Sequence, residues 1–183
     1  MRRNKLDAID RRILSDLQAH GRMTNVELAE RAGISAPPCL RRLRALEDDQ
    51  VILGYHAEIN AEAMDYKIIA FVQVKLSSNN DHDLRQFEAA IMRLPEVREC
   101  HLLAGDFDFL LRVVGRDWED YQKFLTAELV SAPHVAQTKS SLVIRRSKFA
   151  PGVPMADDED VKAENNSKPK ATVATLKSSK SKK

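Results

Sequence analysis

The chain of 183 residues reads as an α+β protein in which a small helical unit precedes a strand-rich one. Two observations predict this. Apolar residues recur at spacings of three and four up to about residue 50 and alternate with a period of two from Ile68 onward, the rhythms of helix and strand. Turn signals at Pro95, Gly105-Asp106 and Pro133 then cut the second half into strand, helix, strand, strand, helix, strand. A third observation bounds the folded part: no aromatic residue follows Phe149 and the sequence ends K-S-S-K-S-K-K. Residues 150–183 cannot bury enough apolar surface to repay their ordering entropy and are expected to form a disordered lysine-rich tail.

Taken in order, Leu6, Ile9, Ile13 and Leu17 form the stripe of an amphipathic helix over residues 6–20, which His20-Gly21 ends. Thr24 with Glu27 three residues on is a capping box. Val26, Leu28, Ala29 and Ala32 supply the packing side of that second helix. Gly33 suits the left-handed position after a helix end, Ser35 is a good N-cap, and prolines are tolerated in a first turn whose N–H groups lack partners. A third helix therefore begins near Ala36. At about 100° per residue, Leu40, Leu43 and Leu46 share one face, with Arg41 opposite and Arg42 and Arg44 beside it. Helix, helix, tight turn and arginine-bearing helix is the order of a helix-turn-helix, whose last helix enters the major groove of DNA. Val51 to Ile59 is apolar, short and broken by Gly54, which predicts a small hairpin or wing. The first domain is thus a winged helix-turn-helix over residues 1–60, and 61–67 is a hinge.

In the second domain, residues 68–149, the strand 68–76 alternates through Val72, Val74 and Leu76. The helix from Asp81 carries Leu84, Phe87, Ile91 and Leu94 on one face and stops at Pro95. Two strands, 97–104 and 107–114, meet at Gly105-Asp106, a two-residue hairpin signal. A helix over 117–130 presents Trp118, Tyr121 and Leu125 to the core, and a last strand follows over 135–145. This order is that of a ferredoxin-like βαββαβ sandwich. Apolar residues on both faces of the third strand predict that the sheet face away from the helices packs against a second copy.

Composition narrows the function. The net charge of +2 is nearly neutral, so affinity for nucleic acid must come from a local patch. No apolar run spans a membrane and no signal-peptide core follows the N-terminus, so a cytosolic protein is expected. Cys39 and Cys100 lack metal-ligand spacing and read as reduced core fillers. His101 has no suitably spaced second ligand either. No cofactor is called for.

Two stretches, S-A-P-P-C-L-R-R-L-R-A-L-E and E-C-H-L-L-A-G-D-F-D-F-L-L-R-V, together resemble the Lrp/AsnC, or feast/famine, family of prokaryotic transcription regulators, nearest its leucine-responsive branch. The resemblance covers about residues 6–149. It implies a homodimer joined through the sheet, assembling to a tetramer or octamer, with an amino-acid effector bound between effector domains. Carried over to this chain, the effector loop is Ala104, Gly105, Asp106, Phe107 and Asp108, joined by Thr138, Ser140 and Ser141 of the last strand. Leu102 and Trp118 match positions linked to the effector response. Phe109 stands where Tyr is common and Ser140 where Thr is common, so the effector's identity stays open: leucine or another apolar amino acid.

Such residues suit the chemistry. N–H groups of a Gly-Asp turn can hold a carboxylate, and Asp108 with the hydroxyls of Thr138 and Ser140 can hold an ammonium. On the DNA side, Ser35 and Pro38 begin the recognition helix at the phosphates, while Arg41, with Arg42 or Arg44, reads guanine edges. The expected protein is a sequence-specific, nucleoid-associated regulator of amino-acid metabolism genes and not an enzyme, since no activated nucleophile, phosphate loop or metal cluster is visible. The alternative is an architectural DNA-binding protein without a ligand.

Overall fold

The computed structural model describes residues 6–155. Two compact units emerge, one of residues 1–57 with the segment from Ala150, the other Glu58–Phe149.

In the first unit, α1 (Ala8–Ala19) starts at Asp7, whose carboxylate accepts from the Asp10 N–H in a reciprocal capping box. The expected Thr24–Glu27 box opens α2 (Asn25–Arg31). Gly33 takes φ +69° in the turn before α3 (Ala36–Asp48). Ile13, Leu14, Leu28, Ala29, Cys39 and Leu46 close the core between the three helices. Val26, expected inside, is 66% exposed. Residues 51–59 form no hairpin: they carry no strand pairing. Val51 and Ile52 instead donate to the Leu46 carbonyl, while Leu53 and Ile59 stand in solvent.

Two features set the ends of this unit. Residues 61–67, expected to be a hinge, include a 3-10 turn at Glu62–Met64, for which Asn60 Oδ1 accepts from the Glu62 and Ala63 N–H groups. Residues 150–155, expected to begin the tail, are packed: Met155 lies against the helical core and Val153 is hydrogen-bonded to Gln18. The rest of the tail lies outside the described residues.

The second unit is the ferredoxin-like sandwich. β1 (Ile68–Leu76), α4 (Asp81–Ile91), β2 (Val97–Leu102), β3 (Phe109–Gly115), α5 (Trp118–Lys123) and β4 (Val135–Leu142) follow in order. The sheet runs β2-β3-β1-β4, with every pairing antiparallel. Ala70, Val72, Val74, Phe109, Leu111 and Val113 point to the helices and are fully buried with Phe87 and Leu129. The alternate residues of β1 and β3, among them Phe71, Leu110, Arg112 and Val114, are only partly covered. α5 passes into a π-helical turn over Phe124–Leu129, where the Thr126 hydroxyl donates to the Gln122 carbonyl. Trp118, expected in the core, is 57% exposed, whereas Tyr121 is 2% exposed. Cys100 is exposed, not a core filler. Partial burial and the nearby Glu88 carboxylate push its thiol up to about 11, so at neutral pH it stays protonated and a poor nucleophile.

Candidate functional site

The outward surface of α3 is the first candidate. Its buried stripe is Ala36, Cys39, Leu43 and Leu46, at spacings of three, four and three. Leu40, predicted to join that stripe, is 37% exposed and instead lines a shallow concavity with Pro37, Arg41, Arg44, Ala45 and Asp48. The error has a simple origin: the three-leucine pattern outcompeted the stripe through Cys39 by hydropathy alone. Among the described residues, Arg41 and Arg44 make no ion pair, so both guanidiniums on this surface are unspent.

Arg42 is different. Its Nη1 donates to Asp10 Oδ1 at 2.7 Å and to Asp7 Oδ2 at 2.8 Å. The Asp10 and Asp7 carboxylates raise its pKa further, and the Asp10 N–H, with Arg42 behind it, holds the Asp7 carboxyl below the usual range. This arginine ties α3 to the start of α1 and is spent on the fold, contrary to its expected place at the groove.

At the start of α3, the Ser35 side chain makes no capping bond, which leaves its hydroxyl available to an outside acceptor. Pro37 and Pro38 have no N–H, and the Cys39 N–H already donates to the Ser35 carbonyl. The donors at this helix end therefore reduce to the Ser35 hydroxyl and the Ala36 N–H, fewer than helix N-termini usually offer. Pro38 is half-buried and contributes shape, not hydrogen bonds.

The second candidate set divides in two. At the β2–β3 end, the strands stop at Leu102 and resume at Phe109, so Leu103–Asp108 is a six-residue loop and not a two-residue hairpin. Asp108 closes it: its N–H donates to the Val74 carbonyl and its Oδ2 accepts from the Leu76 N–H at 2.7 Å. Lys75 Nζ lies 3.8 Å from Oδ1. The carboxylate is 7% exposed for the residue as a whole and anchors the loop to β1; it is not presented to an ammonium as the sequence reading had it. Ala104, Gly105 and Asp106 are exposed and Phe107 half-buried. Gly105 has no left-handed φ, and a Cβ built on it would meet nothing within 4 Å. Neither backbone nor packing within this chain demands a glycine there.

The other half sits on β4 and α5. Thr138 and Ser140 pair with the inward residues Val74 and Val72, whereas Ser141 pairs with Phe71 on the opposite face. Alternation along a strand thus separates Ser141 from its two neighbours. The Tyr121 hydroxyl donates to Ser140 Oγ at 2.8 Å, and the Trp118 ring stacks on Tyr121 with centroids 5.8 Å apart. Tyr121 is a member of this cluster that the sequence reading placed only in the core; its spacing of three from Trp118 was the available signal. β2 and β4 are the two edges of the sheet, so Leu102 and the loop lie about 14 Å, three strand spacings, from Thr138 and Ser140. One chain does not bring the two halves together.

Comparison with known proteins decides what these surfaces belong to. Residues 69–153 match the Lrp/AsnC ligand binding domain, and residues 6–52 match a winged helix-turn-helix DNA-binding domain. The chain belongs to the Lrp/AsnC family. A leucine-responsive regulatory protein of Rhizobium meliloti is 47% identical over 148 residues, covering 81% of this chain and 95% of that protein. Among solved structures of the family, a Neisseria meningitidis transcriptional regulator in complex with L-methionine has a TM-score of 0.77 at 36% identity, covering 81% of this chain and 96% of the other. A Mycobacterium tuberculosis feast or famine regulatory protein, also with L-methionine, has a TM-score of 0.74 at 30% identity, covering 81% and 98%. As an Lrp/AsnC member the protein is a DNA-binding transcription regulator with an amino-acid ligand-binding domain.

Proposed function

We propose that two or more copies of this chain assemble through the outer sheet face, present paired α3 helices to a pseudo-palindromic DNA site, and bind an apolar amino acid where the β2–β3 loop of one copy meets β4 and α5 of another. The observation that carries the reading is the division of the effector residues between opposite sheet edges. Residues with suitable chemistry that stand about 14 Å apart in one chain can share a ligand only across copies. The uncovered Phe71, Leu110 and Val114 supply the apolar centre that a sheet-to-sheet contact needs.

On the DNA, Arg41 reads a guanine edge, Arg44 supports it, and the Ser35 hydroxyl and Ala36 N–H hold phosphate. Leu40 and Pro37 add an apolar surface suited to a thymine methyl. Arg42 drops out of the contact set. In the effector site, Gly105 leaves space for the ligand's approach, Ala104, Asp106 and Phe107 shape the loop, and Leu102 and Trp118 supply apolar contacts. Thr138 and Ser140 offer hydroxyls, while Ser141 faces the sheet-to-sheet contact. Leucine and methionine are the first ligands to try, because similar proteins carry those names. The protein acts in the cytoplasm at the nucleoid.

A thermal-shift screen against the common amino acids tests the effector site, since a ligand of the native state raises stability by about 2.7 kcal/mol at a hundredfold excess over Kd. A melting temperature that rises for leucine or methionine, with a matching change in affinity for a selected DNA site, is the expected result. No shift for any amino acid would sink the effector assignment.

A further inference from the structure

The chain passes between its two units twice, leaving the helical unit after Ala57 and returning after Phe149. The returning segment is held by one residue. Gln18 near the end of α1 donates from Nε2 to the Val153 carbonyl at 3.0 Å and accepts at Oε1 from the Val153 N–H at 2.7 Å. A side-chain amide thus makes both bonds that a neighbouring β-strand would make to that residue. Gly152 is shaped for the same contact. It takes φ +74°, and a Cβ on it would fall 1.7 Å from Gln18 Oε1. Pro151 and Pro154 restrict the backbone on both sides, and Met155 reaches the helical core. In the second unit, Arg146 on the returning strand of chain pairs with Glu58 on the outgoing one and stacks over Phe149 at 4.2 Å. Each connection is therefore pinned within its own unit.

A unit hung on one connection can swivel about it, and a unit held by two cannot do so freely. We propose that the Gln18–Val153 clasp is a determinant of DNA specificity: by holding the second connection it fixes how the helix-turn-helix is presented, and so sets which half-site spacing the assembled protein accepts. Gln18 and Gly152 are positioning residues and touch no DNA. The inference rests on the reading that paired α3 helices engage two half-sites, where spacing mirrors the geometry of the protein.

The experiment uses the full chain and a half-site selected from random DNA by the wild-type protein. Affinity is measured for a single half-site and for duplexes in which two half-sites are moved apart one base pair at a time over a helical turn. Wild type should prefer one spacing sharply. Q18A, which removes both bonds, and G152A, which leaves Gln18 in place but fills its position, should each flatten the profile until spacings bind within about threefold of one another, while single half-site affinity stays unchanged. The double variant should add nothing further. A spacing profile in the double variant as sharp as wild type overturns the proposal, as does a flat wild-type profile. A single half-site bound as tightly as any pair would instead refute the paired-helix reading, and is read in the same titration.

Discussion

Three arginines within four residues look alike in sequence, and their partners separate them. Arg41 and Arg44 face outward on α3, whereas Arg42 is tied to Asp7 and Asp10. Arg41→Ala should lose about 1–3 kcal/mol of discrimination at one base pair. Arg42→Ala should leave the ranking of DNA sequences intact and lower stability by about 1 kcal/mol, the size of a partly exposed ion pair. Binding to a set of single-base variants together with urea unfolding separates the two outcomes. Asp108 illustrates the same lesson in the effector domain. Its carboxylate holds the Leu76 N–H, so Asp108→Ala should cost about 1–3 kcal/mol through an unsatisfied buried donor, and Asp108→Asn, which keeps an accepting oxygen, should recover most of it. Both roles were illegible in sequence because they depend on partners 30 or more residues away. The caps at Thr24 and Gly33 were legible because their partners lie within four residues.

At the level of elements, hydrophobic rhythm located nearly every helix and strand but left the phase of α3 ambiguous. Cys39, 0% exposed, and Leu46, 5% exposed, hold the buried stripe, with Leu40 outside it. Leu46→Ala should therefore destabilise the first unit by about 2–5 kcal/mol, and Leu40→Ala by less than about 0.5 kcal/mol, while weakening DNA binding. Equal destabilisation in urea would place the stripe wrongly. The hairpin expected over residues 51–59 failed for a related reason. Its apolar residues satisfy a strand pattern, yet a strand also needs a partner for its N–H and C=O groups, and sequence rhythm does not say whether one is present. The π turn after α5 likewise leaves no mark in apolar spacing.

For the whole molecule, the order of elements read from the sequence gives the ferredoxin-like sandwich, and strand order then decides the site. The sheet places β2 and β4 at opposite edges, a fact of topology that no local motif encodes. It makes the effector site of the proposed assembly a shared property, which can be checked by complementation. A Gly105→Leu chain and a Ser140→Leu chain, each defective in ligand binding alone, should regain a fraction of the wild-type sites when mixed and reassembled, because some interfaces then combine the intact loop with the intact strand. Calorimetric titration that finds no recovery in the mixture would show that each chain carries its site alone.

Gly105 also offers a measuring device. Nothing in its own chain stands within 4 Å of where a side chain would begin, so substitutions there leave the isolated fold nearly undisturbed. Alanine, serine, threonine and leucine at this position form a graded ruler: the first size at which assembly or ligand uptake falters reports how near the facing surface stands. A position the fold leaves empty thus becomes the one best suited to gauge what the fold is built to meet.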